Sequence, residues 1–230
     1  FRHGPKAGED ISEEGLEVLK AQGKAFAEWM LEQKTDKAAL KKMGVVFQGV
    51  YSGVPRAGTS LDKFSEGFQE TMASHGVRVA ASEPTTHPNL KERQAVDKTA
   101  WAAAFERAKH SEKRFLRMVH RSPKLVPGES PAEQGARIET WAAEKVGEVA
   151  RSKGAINVIV GFSHEPVMGS ARGVAHPKAH RAKYLVTPGR RPITTPGGLI
   201  TRVSDNGIAT LHEMHHAGNR KHEINYVGHI

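Results

Sequence analysis

The chain predicts an α/β fold, a three-layer sandwich with a mainly parallel central sheet, helices on both faces and a helical insertion. Three observations carry the prediction. Helical and β-branched segments alternate from the first residues through Ala81, the order expected of strands joined by crossover helices. The run Val158 to Phe162 is apolar and β-branched and then stops at Ser163 and His164, as a buried parallel strand does when it presents polar residues at its carboxyl end. A length of 230 residues suffices to bury a core in a single domain, 1–230, that carries an insertion.

Each element follows from its local pattern. Ile11 to Gln33 places Leu16, Leu19, Phe26, Trp29, Met30 and Leu31 near helical spacing, with Ser12 as N-cap and acids in the first turn. Gly44 to Ser52 is β-branched and aromatic and ends in a Ser-Gly-Val-Pro turn, so it reads as a strand. Ala57 to Ala73 is helical again and Val77 to Ala81 is a short strand, followed by a polar loop to Pro88. Asn89 to about Val119 has a helical, Ala-rich pattern, and Pro123 to Pro131 is a loop before a helix over Ala132 to Lys153. These helices form the insertion, residues 84–154, expected to act as a cap that sets substrate choice. Ile156 to Phe162 is a core strand. Tyr184 to Thr187, Gly198 to Val203 and Ile208 to Leu211 are short terminal strands, the last two joined as a hairpin at Asp205-Asn206-Gly207.

Composition narrows the function classes. Apolar residues make up 38% and mean hydropathy is −0.51, so no stretch approaches bilayer-spanning length and no membrane partner is expected. The 34 Lys and Arg against 25 Asp and Glu give +9, a field that favours anions; the basic residues are scattered and aromatics reach only 6%, which argues for small anions rather than nucleic acid. The absence of cysteine removes disulfides, thiolate metal sites and cysteine nucleophiles together. The start at Phe1 with no apolar signal segment suggests that the native amino terminus is not included; the cytoplasm is the favoured compartment. Oligomeric state is not legible.

Two distant segments read as halves of one phosphate-handling site: Phe1 to Pro5, which sets Arg2 beside His3, and Val158 to Glu165, which ends on His164. Phosphoryl transfer needs an in-line nucleophile and fixed positive charge around the equatorial oxygens. Arg2, His3, Arg56 and His164 supply both, and the planar fork of Arg56, just past a strand and turn, suits bidentate phosphate contact. A neutral His3 is the expected nucleophile, with one ring nitrogen donating to a carbonyl and the other facing phosphorus. Glu83, directly after the strand at Val77 to Ala81, is the preferred proton donor, and Lys6 is a candidate substrate contact.

These residues resemble the histidine phosphatase superfamily, the phosphoglycerate mutase-like proteins with an Arg-His-Gly motif. The resemblance rests on Arg2-His3-Gly4, Ile11-Ser12-Glu13-Glu14-Gly15, Tyr51-Ser52 to Arg56-Ala57 and Val158 to His164, in that order. It implies a phosphorylated His3, a pocket completed by Arg2, Arg56 and His164, and Glu83 as general acid and then base, with no metal or cofactor. The substrate would be a phosphorylated small molecule or phosphoprotein. It also implies a first core strand just ahead of Arg2, so either the natural protein extends upstream or the sheet is completed differently. Two departures are visible. The form Ser-x-x-x-Arg-x-x-x-Thr is altered, because Thr59 stands three residues after Arg56. Pro5-Lys6-Ala7-Gly8 replaces the usual mutase continuation, which favours a phosphatase over a mutase-like phosphotransferase. In the acid phosphatase and phytase branch an acid follows the second histidine, which makes Glu165 a rival to Glu83.

A competing motif lies near the carboxyl terminus. His212-Glu213-Met214-His215-His216 fits His-Glu-x-x-His, with His222 where a third zinc ligand would fall. A zinc peptidase needs that motif on a helix, whereas the segment follows a predicted hairpin strand, Gly218 is one position off and no methionine-containing turn follows. A third alternative keeps the phosphate pocket without turnover, as a phospho-ligand binding module.

Overall fold

The computed structural model describes residues 6–7, 10–32, 37–91, 97–111, 114–115, 118, 122, 125, 127–129, 131–151, 156–163, 198–203, 209–218 and 221–229. A short antiparallel pair, β1 (Lys6–Ala7) and β2 (Asp10–Ile11), leads into α1 (Glu13–Glu32). Ser12 caps α1 as expected: the Gly15 N–H donates to its Oγ at 3.0 Å, and Glu13 and Glu14 place negative charge at the positive end of the helix. Next come α2 (Lys37–Met43), β3 (Val45–Tyr51), α3 (Pro55–Ser74), β4 (Val79–Ala81) and β5 (Thr85–Thr86). The chain continues through α4 (Lys98–Arg107), α5 (Pro131–Arg151) and β6 (Ile156–Phe162) to β7 (Gly198–Val203), β8 (Ala209–Gly218) and β9 (Lys221–His229).

β3 organises the parallel sheet. On one edge β6 runs beside its whole length, from Val45↔Ile156 to Tyr51↔Phe162. On the other edge β4 pairs with Val45 to Phe47 and β5 with Val50 and Tyr51, all of them parallel. The helices cover both faces. Phe47, Val158, Val160 and Phe162 meet Leu61, Phe64, Phe68 and Met72 of α3 in one buried cluster, with Phe64 edge-on to Phe162 at 5.6 Å and Phe47 against Phe68 at 5.1 Å. α1 packs on α3 through two glycines: a Cβ on Gly23 would strike the Phe64 carbonyl, and one on Gly67 the Lys20 carbonyl, so the helices meet backbone to backbone. On the opposite face Trp141 of α5 lies over Gly161, where a Cβ would fall 2.8 Å from the indole. A separate antiparallel sheet, β7-β8-β9, sends Ile200, Met214 and Ile224 into the cluster that holds Phe26 and Trp29 of α1.

Most predicted elements lie within two residues of the observed ones; two regions differ. The single helix expected from Asn89 to Val119 is instead a 3-10 turn at Pro88–Leu90 followed by α4. Asp97 starts α4 by accepting the Thr99 and Ala100 N–H groups, and left-handed backbone at Lys109 and His110, each with φ 53°, ends it. The strand expected to end at Leu211 extends to Gly218, and β9 follows it, because the two pair from Thr210↔His229 to Gly218↔Lys221 although their sequences are rich in His, Glu and Gly. The β7–β8 pairing agrees with the expected hairpin, whose turn lies outside the described residues, as does Tyr184 to Thr187. Within the interval 84–154, Thr85 and Thr86 still belong to the sheet. No helix among the described residues is long and apolar enough to cross a membrane.

Candidate active site at the carboxyl edge of the sheet

The ends of β3 and β6 lie level. Tyr51 and Phe162 are register partners, and the Ser52 N–H donates to the Phe162 carbonyl at 3.1 Å. From there Ser52 is buried, Gly53 turns the chain with φ +83°, and Pro55 opens α3 at a position where its missing N–H costs nothing. Arg56 therefore falls in the first turn of α3, half-buried, at the positive end of the helix and beside the edge where β6 ends at Phe162. That edge is where open α/β sheets bind ligands.

Ser60 refines the altered motif. It stands four residues after Arg56, is fully buried, and its hydroxyl donates to the Arg56 carbonyl at 2.7 Å, whereas Thr59 is exposed and bonds Pro55. The fourth position thus carries a hydroxyl after all, on serine instead of threonine. Counting hydroxyls at that spacing, rather than threonines, would have found it.

A third wall was not foreseen. After β5 the His87 N–H donates to the Tyr51 carbonyl at 3.0 Å, and His87 Nδ1 accepts the Asn89 N–H at 3.2 Å, which leaves the proton of a neutral ring on Nε2. The Ser163 hydroxyl, fully buried, donates to the Leu90 carbonyl at 2.6 Å, so the turn Pro88–Leu90 is tied to the last described residue before His164. The local signal was slight: a histidine followed by proline.

Of the residues singled out from sequence, Arg2, His3, His164 and Glu165 lie outside the described residues, and Lys6 is placed only as a strand residue of β1, opposite Ile11. Glu83 stands elsewhere than Arg56. β4 ends opposite Phe47, and Glu83 follows it along a cavity of about 540 Å³ whose lining includes Asp62, Glu66 and Glu70 but neither Ser52, Arg56 nor Ser163. Burial pushes the Asp62 carboxyl up, partly offset by Lys63.

The His-Glu-x-x-His segment is strand. His212 and His216 both belong to β8, four residues apart in an extended backbone, which separates their Cα atoms by about 13 Å; a helical pair would sit one turn apart. His212 packs edge-on against Trp29 at 5.1 Å and lies 3.1 Å from the Thr210 hydroxyl, and burial, with Arg202 adding to it, pulls its pKa down. It is a packing residue between the antiparallel sheet and α1. Register sets His216 opposite His222.

No family model matches the chain, and no curated protein matches it. Among solved structures, the mycobacterial glucosyl-3-phosphoglycerate phosphatase in complex with VO3 is similar with a TM-score of 0.50 and 15% identity, over 98% of this chain and 94% of that one. The native form of the same mycobacterial phosphatase gives 0.47 at 15% identity over 99% and 94%, and a protein described as mycobacterial hydrolase 1 gives 0.45 at 17% over 98% and 94%. At such identity the likeness shows the fold alone, an α/β sandwich with helices packed around a parallel sheet, which is the expected fold class.

Proposed function

We propose that this chain hydrolyses phosphate monoesters through a covalent phosphohistidine at His3. The observation that carries the reading is the level ending of β3 and β6, which sets the Ser52–Arg56 turn next to Ser163, the residue before His164. Arg56, with Arg2 and His164, would hold the phosphoryl oxygens and stabilise the charge that spreads over them in the transition state. The neutral imidazole of His3 attacks phosphorus, the bond to the ester oxygen breaks, and a carboxylic acid gives that oxygen its proton. The resulting carboxylate then takes a proton from water, water attacks phosphorus, and the P–N bond breaks to return neutral histidine and phosphate. The solved structure with a TM-score of 0.50 belongs to a glucosyl-3-phosphoglycerate phosphatase in complex with VO3, which has the three oxygens of a phosphoryl group in transfer, and this supports a phosphorylated small molecule as substrate.

Three carboxylates compete for the proton-donor role. Glu83 and Glu165 follow from sequence, and Glu92 joins them because it comes directly after Lys91, at the end of the turn bonded to Ser163. The test is hydrolysis of nitrophenyl phosphate by the purified chain with chelator present, together with acid-quench capture of a labelled phosphoenzyme. Both should vanish in His3→Ala. Turnover that survives His3→Ala, or that the chelator abolishes, would sink the proposal. Glutamine at each of the three acids then assigns the donor as the position whose loss slows alkyl phosphates most.

A further inference from the structure

Arg137 stands in the second turn of α5 and makes five hydrogen bonds to two other segments. Its Nε and one Nη donate to the two carboxylate oxygens of Glu129 at 2.5 and 2.7 Å. The same guanidinium donates to the carbonyls of Pro88 at 2.9 Å, Asn89 at 2.6 Å and Lys91 at 3.0 Å. The remaining carbonyls of the turn are also taken: Leu90 O accepts the Ser163 hydroxyl, and His87 O accepts the Leu90 N–H at 3.1 Å. Every carbonyl from His87 to Lys91 is therefore bonded, three of them by one side chain nearly fifty residues away. A short 3-10 turn on a surface needs no such partner, since water can bond its carbonyls.

The chemistry suits arginine alone. Five N–H groups in a fixed plane let one cation grip a carboxylate bidentately and still satisfy three carbonyls, whereas a lysine ammonium has three donors and no fork. The Arg137 and Glu129 side chains are only 21% and 22% exposed, and the fork to Glu129 and the bond to the Asn89 carbonyl are partly buried, so solvent competes weakly for those three. Trp141, one helical turn beyond Arg137, seats α5 on Gly161 and Leu90 in the same region.

We propose that Arg137 is a positioning residue for the hydrolysis assigned above: it locks the turn Pro88–Lys91 to α5 and, through Leu90 and Ser163, to the end of β6, so that the cap helix and the carboxyl edge hold one geometry. The proposal rests on the phosphatase reading for its catalytic consequence and on the geometry alone for the lock. Chemistry that depends on placing a proton donor and a phosphoryl group within about an ångström loses about 100-fold when the placement slackens.

The experiment compares the wild-type chain with Arg137→Lys, Arg137→Ala and Glu129→Gln in two measurements. Amide hydrogen exchange should show Leu90 and Lys91 losing at least tenfold protection in Arg137→Lys while amides of α1 and α3 keep theirs; unchanged protection overturns the lock. Steady-state kinetics should show kcat for an alkyl phosphate falling about 100-fold in Arg137→Lys, with KM within about threefold and nitrophenyl phosphate, whose leaving group needs no proton, much less affected. A proportional loss on both esters that tracks the folded fraction overturns the positioning role. Should Arg137→Ala fail to fold, Glu129→Gln loosens the fork from its other side and should reproduce the pattern in weaker form. A wild-type chain that hydrolyses neither ester refutes the phosphatase reading and the positioning role together, while the exchange measurement still decides the lock.

Discussion

The two faces of the parallel sheet are held by different physics. On the α1 and α3 side, Phe26, Phe47, Phe64, Phe68, Met72 and Phe162 form one apolar cluster, and Gly23 and Gly67 let the helices touch. On the α5 side, a guanidinium, a hydroxyl and the carbonyls they satisfy hold a turn against the sheet, and Val46 of β3 is left 38% exposed. Burial is non-directional and gives stability, whereas hydrogen bonds from fixed donors give position at modest net stability. A phosphoryl-transfer site needs both, but on different sides: the apolar face keeps β3 and β6 level, and the polar face fixes what stands beyond their ends.

The comparison breaks soonest at Gly67. Gly67→Leu drives a side chain into the Lys20 carbonyl, which cannot yield without parting two twenty-residue helices. The expected loss is about 5 kcal/mol, the exceptional range for one substitution, read as a collapse of the urea midpoint or as failure to fold. Phe64→Ala should rank next, at about 4 kcal/mol, because its ring meets both Phe26 and Phe162 and nothing nearby can refill the space. If either variant unfolded no earlier than the wild type, the α1 and α3 face would not be the stabilising one.

Ser163→Ala sharpens the other side. It leaves the Leu90 carbonyl without its donor, so about 2 kcal/mol of stability should be lost, less than for Phe64→Ala. The diagnostic feature is where the loss falls: exchange should rise at Leu90 and Lys91 before it rises in α3. A uniform rise would mean that the turn is not a separate, directionally held unit.

The same contrast explains what the sequence disclosed. α1, α3, β3 and β6 were legible because burial imposes a period: the stripe through Leu19 and Phe26, and the β-branched runs ending at Tyr51 and Phe162. Arg56 was legible too, since a strand, a Gly turn and an N1 proline can put the next residue nowhere but the edge. The polar side left no such trace. Ser163 bonds Leu90 across 73 positions and Arg137 bonds Pro88 across 49, and neither pairing has a local pattern. Glu83 shows the limit from the other direction. A carboxylate directly after a strand suggests the sheet's edge, but β4 stops opposite Phe47, well before Tyr51, so the residue after it runs beside α3 instead.

The smallest expected effect lies on the outer side of the α1–α3 pair, where Lys20 bonds Glu66 and Glu70 at 2.6 Å each and Lys63 adds a second cation to Glu66. The hydrogen bonds from Lys20 and then Lys63 hold the Glu66 carboxyl down to about 2, and its bond to Glu66 first and Glu70 next raises Lys20 above its ordinary value. A carboxyl depressed in the folded state adds stability above its ordinary pKa and loses it as pH falls toward about 2; the raised lysine contributes below its ordinary pKa and loses that only in strong alkali. Stability should therefore be flat from neutral to mildly alkaline pH and decline in acid. Glu66, Glu70 and Lys63 are 39%, 47% and 38% exposed, so the network should respond to salt. Glu66→Gln should flatten the acid decline slightly and reduce the salt sensitivity, while leaving the Leu90 and Lys91 exchange rates untouched. A change at those amides would show that the two faces are coupled through β3 rather than held separately.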